Sequence, residues 1–196
     1  MRWSALLVVL LAAGCGFTNS SSKTETQTVT VTTTVTQPTV TPTTTATTTS
    51  SAGGACTASD LSGTFAELAG SAGAGNIVYT LRLTNASEHA CFVSGLPEVL
   101  LLDANGKALP TNPTAERPGT QTAVKTTLQP GDTATSQSRF SPDVPGVGEG
   151  NGPCEPIAAT LQVTANGGGT LDVKIDPATR VCSHGAMTLT NLTTAA

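Results

Sequence analysis

Hydrophobic and polar side chains alternate in short segments through the C-terminal two thirds of the chain. The clearest segment is 77–84, where Ile77, Tyr79, Leu81 and Leu83 fall on one face and polar residues occupy most of the other. A period of two residues is typical of a β-strand that packs one face on a core and exposes the other. The segment is therefore predicted to be a strand with one face in solvent.

Further short segments share this pattern and are separated by Gly, Pro and Asn. The predicted strands are 98–102, 107–109, 122–128, 133–140, 160–165, 170–175 and 186–192. The intervening Asp-Ala-Asn-Gly, Pro-Gly and Asn-Gly-Gly-Gly sequences are turn formers, because glycine readily adopts positive φ. Segment 107–109 would return as the hairpin partner of 98–102, and the Pro-Gly turn would join 122–128 to 133–140. No long stretch has the 3.6-residue period of a helix. The pattern predicts an all-β domain over 56–196, an antiparallel Greek-key β-sandwich of immunoglobulin-like architecture.

The N-terminus has a different pattern, in which a short basic start precedes an unbroken apolar run over 3–13. That run is too short to span a bilayer and is typical of a signal peptide, predicted here as 1–14. Ala12-Ala13-Gly14-Cys15 resembles the bacterial lipobox. The resemblance implies cleavage before Cys15 and acylation of its thiol, which would anchor the chain to the extracytoplasmic face of the cell membrane. The alternative is a plain signal peptide with an incidental cysteine.

Residues 15–55 carry the lipidated cysteine and a tract dominated by Thr, Ser and Pro. Such a tract cannot bury enough apolar area to offset its ordering entropy, so we predict a disordered stalk. The stalk is either O-glycosylated or an unmodified flexible linker, and composition does not distinguish these states. In both cases it would separate the domain from the membrane.

The cysteine count is odd, since the chain has five. Assigning Cys15 to lipidation leaves an even set, Cys56, Cys91, Cys154 and Cys182, in a compartment that favours disulfides. Four cysteines allow three pairings. The preferred one joins sequence neighbours, Cys56 with Cys91 and Cys154 with Cys182. Because aromatic residues make up only 3% of the chain, disulfides would supplement a core poor in large side chains.

Charge restricts the classes of partner. The net charge is −4, only 11% of residues are charged, and no basic patch is present. The chain therefore has no electrostatic footprint for nucleic acid. No second apolar run reaches the roughly 18 residues of a membrane span, so the membrane contact is expected through Cys15 alone.

Several short motifs follow one another in a fixed order through 56–192. They are Cys56 with Asp60-Leu61, Gly73-Ala74-Gly75-Asn76, Leu83-Thr84-Asn85, Cys91-Phe92-Val93-Ser94-Gly95-Leu96-Pro97, Asp103-Ala104-Asn105-Gly106, Leu128-Gln129-Pro130-Gly131-Asp132-Thr133-Ala134, Cys154 and Cys182. This series resembles the actinobacterial secreted domain called domain of unknown function 4232. Leu96 departs from the tyrosine that the family often has before the proline. The resemblance implies an exported or lipid-anchored β-domain, and it assigns no catalytic residues.

A soft-metal or small-ligand carrier that uses His89, His184 and Met187 is the first chemical alternative. His89 precedes Cys91 by two residues, His184 follows Cys182 by two, and Met187 comes shortly after. Imidazole, thioether and thiolate together suit Cu(I). Cysteines in an oxidising compartment form disulfides, which are poor ligands, so no metal-binding or cofactor-binding residue is assigned.

An enzyme with an unrecognised site is the second alternative. No Gly-x-Ser-x-Gly elbow is present, and the glycine-rich segments 146–152 and 167–169 lack the lysine of a phosphate loop. The carboxylates fall mainly in predicted turns, where Asp stabilises the backbone. We therefore expect a non-enzymatic binding or structural module of the cell envelope. Its partner would be a cell-wall polymer or another exported protein, contacted through loops 110–119 and 141–156.

Overall fold

The computed structural model describes residues 53–119, 122–150 and 152–195, and regular structure in these ranges is nearly all β. The predicted signal peptide, the lipidated Cys15 and the stalk through residue 52 lie outside the described residues. The strands are β1 (Leu61–Glu67), β2 (Ile77–Asn85), β3 (Cys91–Ser94), β4 (Glu98–Leu102), β5 (Asn112–Ala115), β6 (Lys125–Leu128), β7 (Thr133–Phe140), β8 (Ala158–Thr164), β9 (Thr170–Thr179), β10 (Ala186–Leu189) and β11 (Thr193–Thr194). A 3₁₀ turn (Ala58–Asp60) and one short turn, α1 (Cys182–Gly185), whose last three residues have left-handed backbone angles, complete the list.

Most strands belong to one nine-stranded sheet that curls into a nearly closed, barrel-like form. Its order is β4-β8-β9-β1-β2-β7-β10-β5, with β11 added beside β7. A smaller sheet pairs β3 with β6. The free edge of β4 is covered by the chain after it, because Leu109 N–H donates to Leu101 O and Leu101 N–H donates to the Thr111 hydroxyl.

The all-β class is confirmed, but an antiparallel Greek-key sandwich of two sheets is not the arrangement found. Strands β1 and β9 run parallel, with Phe65 opposite Ile175, and β5 and β10 run parallel, with Asn112 opposite Ala186. Residue alternation identifies the buried face of a strand, but it carries no information on which neighbour pairs or in which direction. The parallel β1–β9 pair joins the two parts of the sheet, and the parallel β5–β10 pair places β5 at one edge.

Of the two predicted hairpins, the one between 122–128 and 133–140 is absent, and the one between 98–102 and 107–109 is present in a shortened form. Segment 122–128 was expected to pair with 133–140, but β6 pairs with β3, and β7 pairs with β2. Segment 107–109 makes one isolated bridge, between Ala108 and Leu102, and no strand. Strands β1, β3, β5 and β11 are not predicted by the sequence pattern.

The core is centred on the alternating face of β2. Ile77, Tyr79, Leu81 and Leu83 are all buried, as the alternation predicts. The Tyr79 ring lies between Phe65 and Phe140, with centroid separations of 5.1 and 5.2 Å. Burial of each large side chain contributes about 1.5–3 kcal/mol, so this aromatic group supplies much of the stability of a core with few rings.

The barrel has two distinct ends. We call the end where the described chain begins the entry end: Gly54 O accepts from Phe92 N–H, Ala55 bridges Phe92, and Leu61 lies opposite Asn85. These contacts place Gly54 and Ala55 with the domain, although the predicted stalk extends to residue 55. The opposite end, which we call the far end, contains the starts of β2, β8 and β10 and the ends of β1, β4, β7 and β9.

Each end contains one disulfide. Cys56 pairs with Cys91 at the entry end, and Cys154 pairs with Cys182 at the far end. These are the pairs preferred from sequence. They join the chain at opposite ends of the barrel.

Candidate functional site

Four irregular segments meet at the far end: the turn 68–76, the chain before β5, the loop 141–157 and α1. Two glycines mark the contacts. A Cβ on Gly185 would lie 2.0 Å from Pro110 O, and one on Gly75 would lie 2.7 Å from Val144 Cγ2. These approaches leave no room for a side chain, so the segments pack directly against each other.

A buried carboxylate ties the long loop to α1. Glu149 Oε2 accepts from the backbone N–H groups of Gly146 and Ser183, and Oε1 accepts from His184 N–H at 2.7 Å. Ser183 and His184 lie in the left-handed region, with φ of 58° and 55°, which turns both N–H groups toward the same carboxylate. Burial raises the pKa of Glu149, but the three N–H donors lower it more, and the pKa lies below its ordinary value.

His184 faces a second carboxylate beside the first. Its Nδ1 lies 3.4 Å from Glu155 Oε1 and 3.9 Å from Glu149 Oε1. The imidazole is 63% exposed, whereas the Glu155 side chain is 13% exposed. Among the described residues, these three side chains have ligand-type atoms that all lie within 4.8 Å of one another. The group has the donor set of a divalent-cation site.

The soft-metal arrangement considered from sequence is not assembled. His89 is at the entry end, where its Nε2 lies 3.6 Å from Asp60 Oδ1, while His184 is at the far end. Met187 is buried, and its sulfur accepts from the Ser138 hydroxyl at 3.7 Å. The cysteines are paired as disulfides. The two histidines, each of which lies two residues from a cysteine in the sequence, are thus separated by the length of the barrel.

Exposed aliphatic side chains are concentrated at the far end. Val147 is fully exposed, and Leu68, Val144 and Ile157 are each about half exposed. Single apolar residues on a surface are ordinary, but four of the five large hydrophobic residues that are exposed in the described ranges lie on segments at this end. Val124, which precedes β6 toward the entry end, is exposed to a similar extent.

The two loops proposed for contact from sequence differ in structure. Segment 141–156 forms no strand in its described part, as expected. Segment 110–119 contains β5, which runs away from the far end, so Pro110, Thr111 and the start of β5 contribute to that end beside Gly185 and Ala186. The structure brings the starts of both segments to the same end of the barrel.

The entry end contains a small cavity of about 270 Å³ between the barrel and the 94–97 turn. Its lining includes Leu83, Val93, Leu96, Pro97 and Asn166. Asn166 is occupied with the backbone of Ser94, to which it donates at 3.2 Å and from which it accepts at 2.9 Å. The Asn166 amide therefore stabilises the 94–97 turn.

Sequence reasoning did not assign Glu149, Glu155 or the buried Asn85. The available signals were weak, since both glutamates lie in a glycine-rich loop and Asn85 is the last residue of a short motif. Within the described ranges, no helix has the length and apolar content needed to cross a membrane.

Comparison with known proteins identifies one family. A model described as "Domain of unknown function (DUF4232)" matches residues 56–193. No curated protein and no solved structure matches the chain.

Proposed function

Because the chain belongs to the DUF4232 family, whose function is unknown, we propose a role from its own residues: an exported actinobacterial lipoprotein that presents its far end to another exported protein. Lipid on Cys15 would hold it to the extracytoplasmic face of the membrane. The lipobox-like leader supports this location. The two disulfides also suit an oxidising compartment.

The observation that carries the proposal is the separation of the two ends of the barrel. The chain enters at Gly53–Cys56, while the loops, the exposed aliphatic residues and α1 lie at the opposite end. A nine-residue strand such as β2 spans about 30 Å. An anchor upstream of Gly53 thus leaves the far end accessible to a partner.

The chemistry of the far end favours a protein over a wall polysaccharide. Sugar rings are commonly held by stacking on exposed aromatic rings. Among the described residues, Phe65, Tyr79 and Phe140 are buried, and the Lys125 ammonium lies 4.2 Å above the Phe92 ring. The exposed valines suit the apolar centre of a protein–protein interface.

Intact-mass spectrometry of the protein from its native host tests the anchor. The mature chain should begin at Cys15, carry acyl mass and gain the four hydrogens of two disulfides on reduction. A Cys15→Ser variant should lack the acyl mass. An unmodified mature chain, or one that begins elsewhere, would contradict the anchor.

Site-specific photocrosslinking in cells tests the partner. A photoreactive residue at Val147 should give a discrete crosslinked protein, and the same residue at Val124 should not. The substitutions Val144→Ser and Val147→Ser should reduce that crosslink, whereas Val124→Ser should leave it unchanged. Binding to isolated cell wall that depends on Val144 and Val147, without a protein crosslink, would make the polymer the partner and overturn this proposal.

A further inference from the structure

We call Glu149, Glu155 and His184 the far-end group; among the residues that the structure describes, the Glu149 carboxylate has one acceptor position without a hydrogen-bond donor. A carboxylate offers about four lone-pair positions. In Glu149, Oε2 accepts from two backbone N–H groups, and Oε1 accepts from one. The remaining position is on Oε1, the oxygen that lies 3.9 Å from His184 Nδ1. Glu149 is therefore fixed by the backbone and still able to contact a cation.

The second carboxylate and the imidazole are held by a covalent link. Glu155 directly follows Cys154, and His184 follows Cys182 by two residues, so the Cys154–Cys182 disulfide joins the two segments. Arg180 contacts the backbone of Glu155, since Arg180 Nη1 donates to the Glu155 carbonyl. The ion-pair contacts of both carboxylates among the described residues are with His184.

The spacing of the three atoms fits a small metal ion. Ligand atoms at 2.0–2.2 Å from a tetrahedral zinc lie about 3.3–3.6 Å from each other. Nδ1 is 3.4 Å from Glu155 Oε1 and 3.9 Å from Glu149 Oε1, and the group spans no more than 4.8 Å. Rotation of the exposed His184 side chain and of Glu155 is enough to reach that geometry, while Glu149 stays in place.

From this geometry we propose that Glu149, Glu155 and His184 bind one zinc ion, with a fourth position open to water or to a partner's side chain. An imidazole with two carboxylates is a borderline donor set that zinc accepts. Calcium takes six to eight oxygen ligands, and Cu(I) prefers sulfur, so this set does not match either ion. The ion would fix the loop 146–155 to α1.

Calorimetric titration of the metal-free, disulfide-intact full-length protein with Zn²⁺ tests the site. One ion per chain should bind. Glu155→Gln, which keeps the side-chain size, and His184→Ala should each weaken binding by more than the roughly tenfold effect of losing an outer ligand partner. His89→Ala is the matched control, because His89 is similarly exposed and also faces a carboxylate.

Imidazole NMR and thermal unfolding give independent readouts. Zinc should shift the ring signals of His184 and leave those of His89 unchanged. It should also raise the midpoint of unfolding in the wild-type protein and in His89→Ala, but not in His184→Ala. Failure of zinc to bind, unchanged affinity in His184→Ala, or preferential binding of calcium would each overturn the proposal and leave a His–Glu ion pair.

Discussion

Asn85 shows how one polar residue organises the entry end. It is 1% exposed, and its amide uses its full hydrogen-bonding capacity. Nδ2 donates to the carbonyls of His89 and Leu128, and Oδ1 accepts from the backbone N–H and hydroxyl of Ser87. The asparagine of the Leu-Thr-Asn motif thus fixes the turn between β2 and β3 and binds it to the end of β6.

Replacing Asn85 should destabilise the whole domain. Asn85→Leu keeps the volume but leaves the buried partners without hydrogen bonds, so the free energy of unfolding should fall by at least about 2 kcal/mol. Asn105→Leu, in an exposed turn, should change it by no more than about 0.5 kcal/mol. Urea unfolding measures both. Equal effects would show that the amide network contributes little.

Asp60 should make stability depend on acid pH. The hydroxyl and backbone N–H of Thr57 lower the pKa of Asp60 below its ordinary value of 3.8. A group with a depressed pKa stabilises the fold above its unfolded-state pKa, and that contribution is lost as the pH falls through the folded value. Wild type should therefore unfold at a higher temperature than Asp60→Asn at about pH 7, and the difference should shrink at about pH 2. A difference independent of pH would exclude this linkage.

Strands differ in how far the sequence alone predicts them. Strands β2, β4 and β7 have enough alternation or apolar content to be recognised. Strand β1 has only two buried positions, Leu61 and Phe65, and a glycine between them, so its pattern is weak. Strand β5 contains Pro113, which is typical of an edge strand or a loop.

The pairing of strands that are far apart in the chain could not be predicted from the sequence, for a different physical reason. The parallel contact of Phe65 with Ile175 joins residues far apart in the chain, and no local signal specifies it. The same holds for the far-end group, since Glu149 and His184 are 35 residues apart in the chain and are brought together by the fold. The sequence pattern predicts turns at Glu149 and His184, but it does not predict that these two residues are in contact.

Gly63 should be required for the parallel pairing of β1 with β9. A Cβ there would lie 2.7 Å from Val173 Cγ2, within a packed core. Gly63→Ala should therefore cost about 1–3 kcal/mol of unfolding free energy through overpacking. Gly73→Ala is the control, because a Cβ there meets no atom within 4 Å. Chemical unfolding of both variants measures the contrast, and tolerance of Gly63→Ala would contradict it.

At the scale of the whole molecule, one disulfide cross-links the chain at each end of the barrel. Their sequence separations are 35 and 28 residues. Loops of this size give similar stabilisation, about 4 kcal/mol each by the chain-entropy argument. We therefore expect the two disulfides to differ in the part of the domain that each stabilises, and to be similar in the size of the effect.

Hydrogen exchange should separate the two disulfides. Replacing Cys56 and Cys91 by serine should raise exchange most in β3 and β6, and replacing Cys154 and Cys182 should raise it most in 141–157 and α1. Peptide-resolved exchange with mass spectrometry measures this, and the intact protein is the reference. A uniform rise across the barrel in both variants would show that neither end opens independently.

The entry-end disulfide also determines how the domain would respond to tension on its tether. Cys56 follows the first described residue, Gly53, by three positions and is covalently joined to Cys91. A pull from upstream therefore divides between β1 and β3 before either strand can peel away from its neighbours. If a partner holds the far end, the load runs along the strands, and the hydrogen bonds between β2 and β7 must yield together in shear instead of one after another.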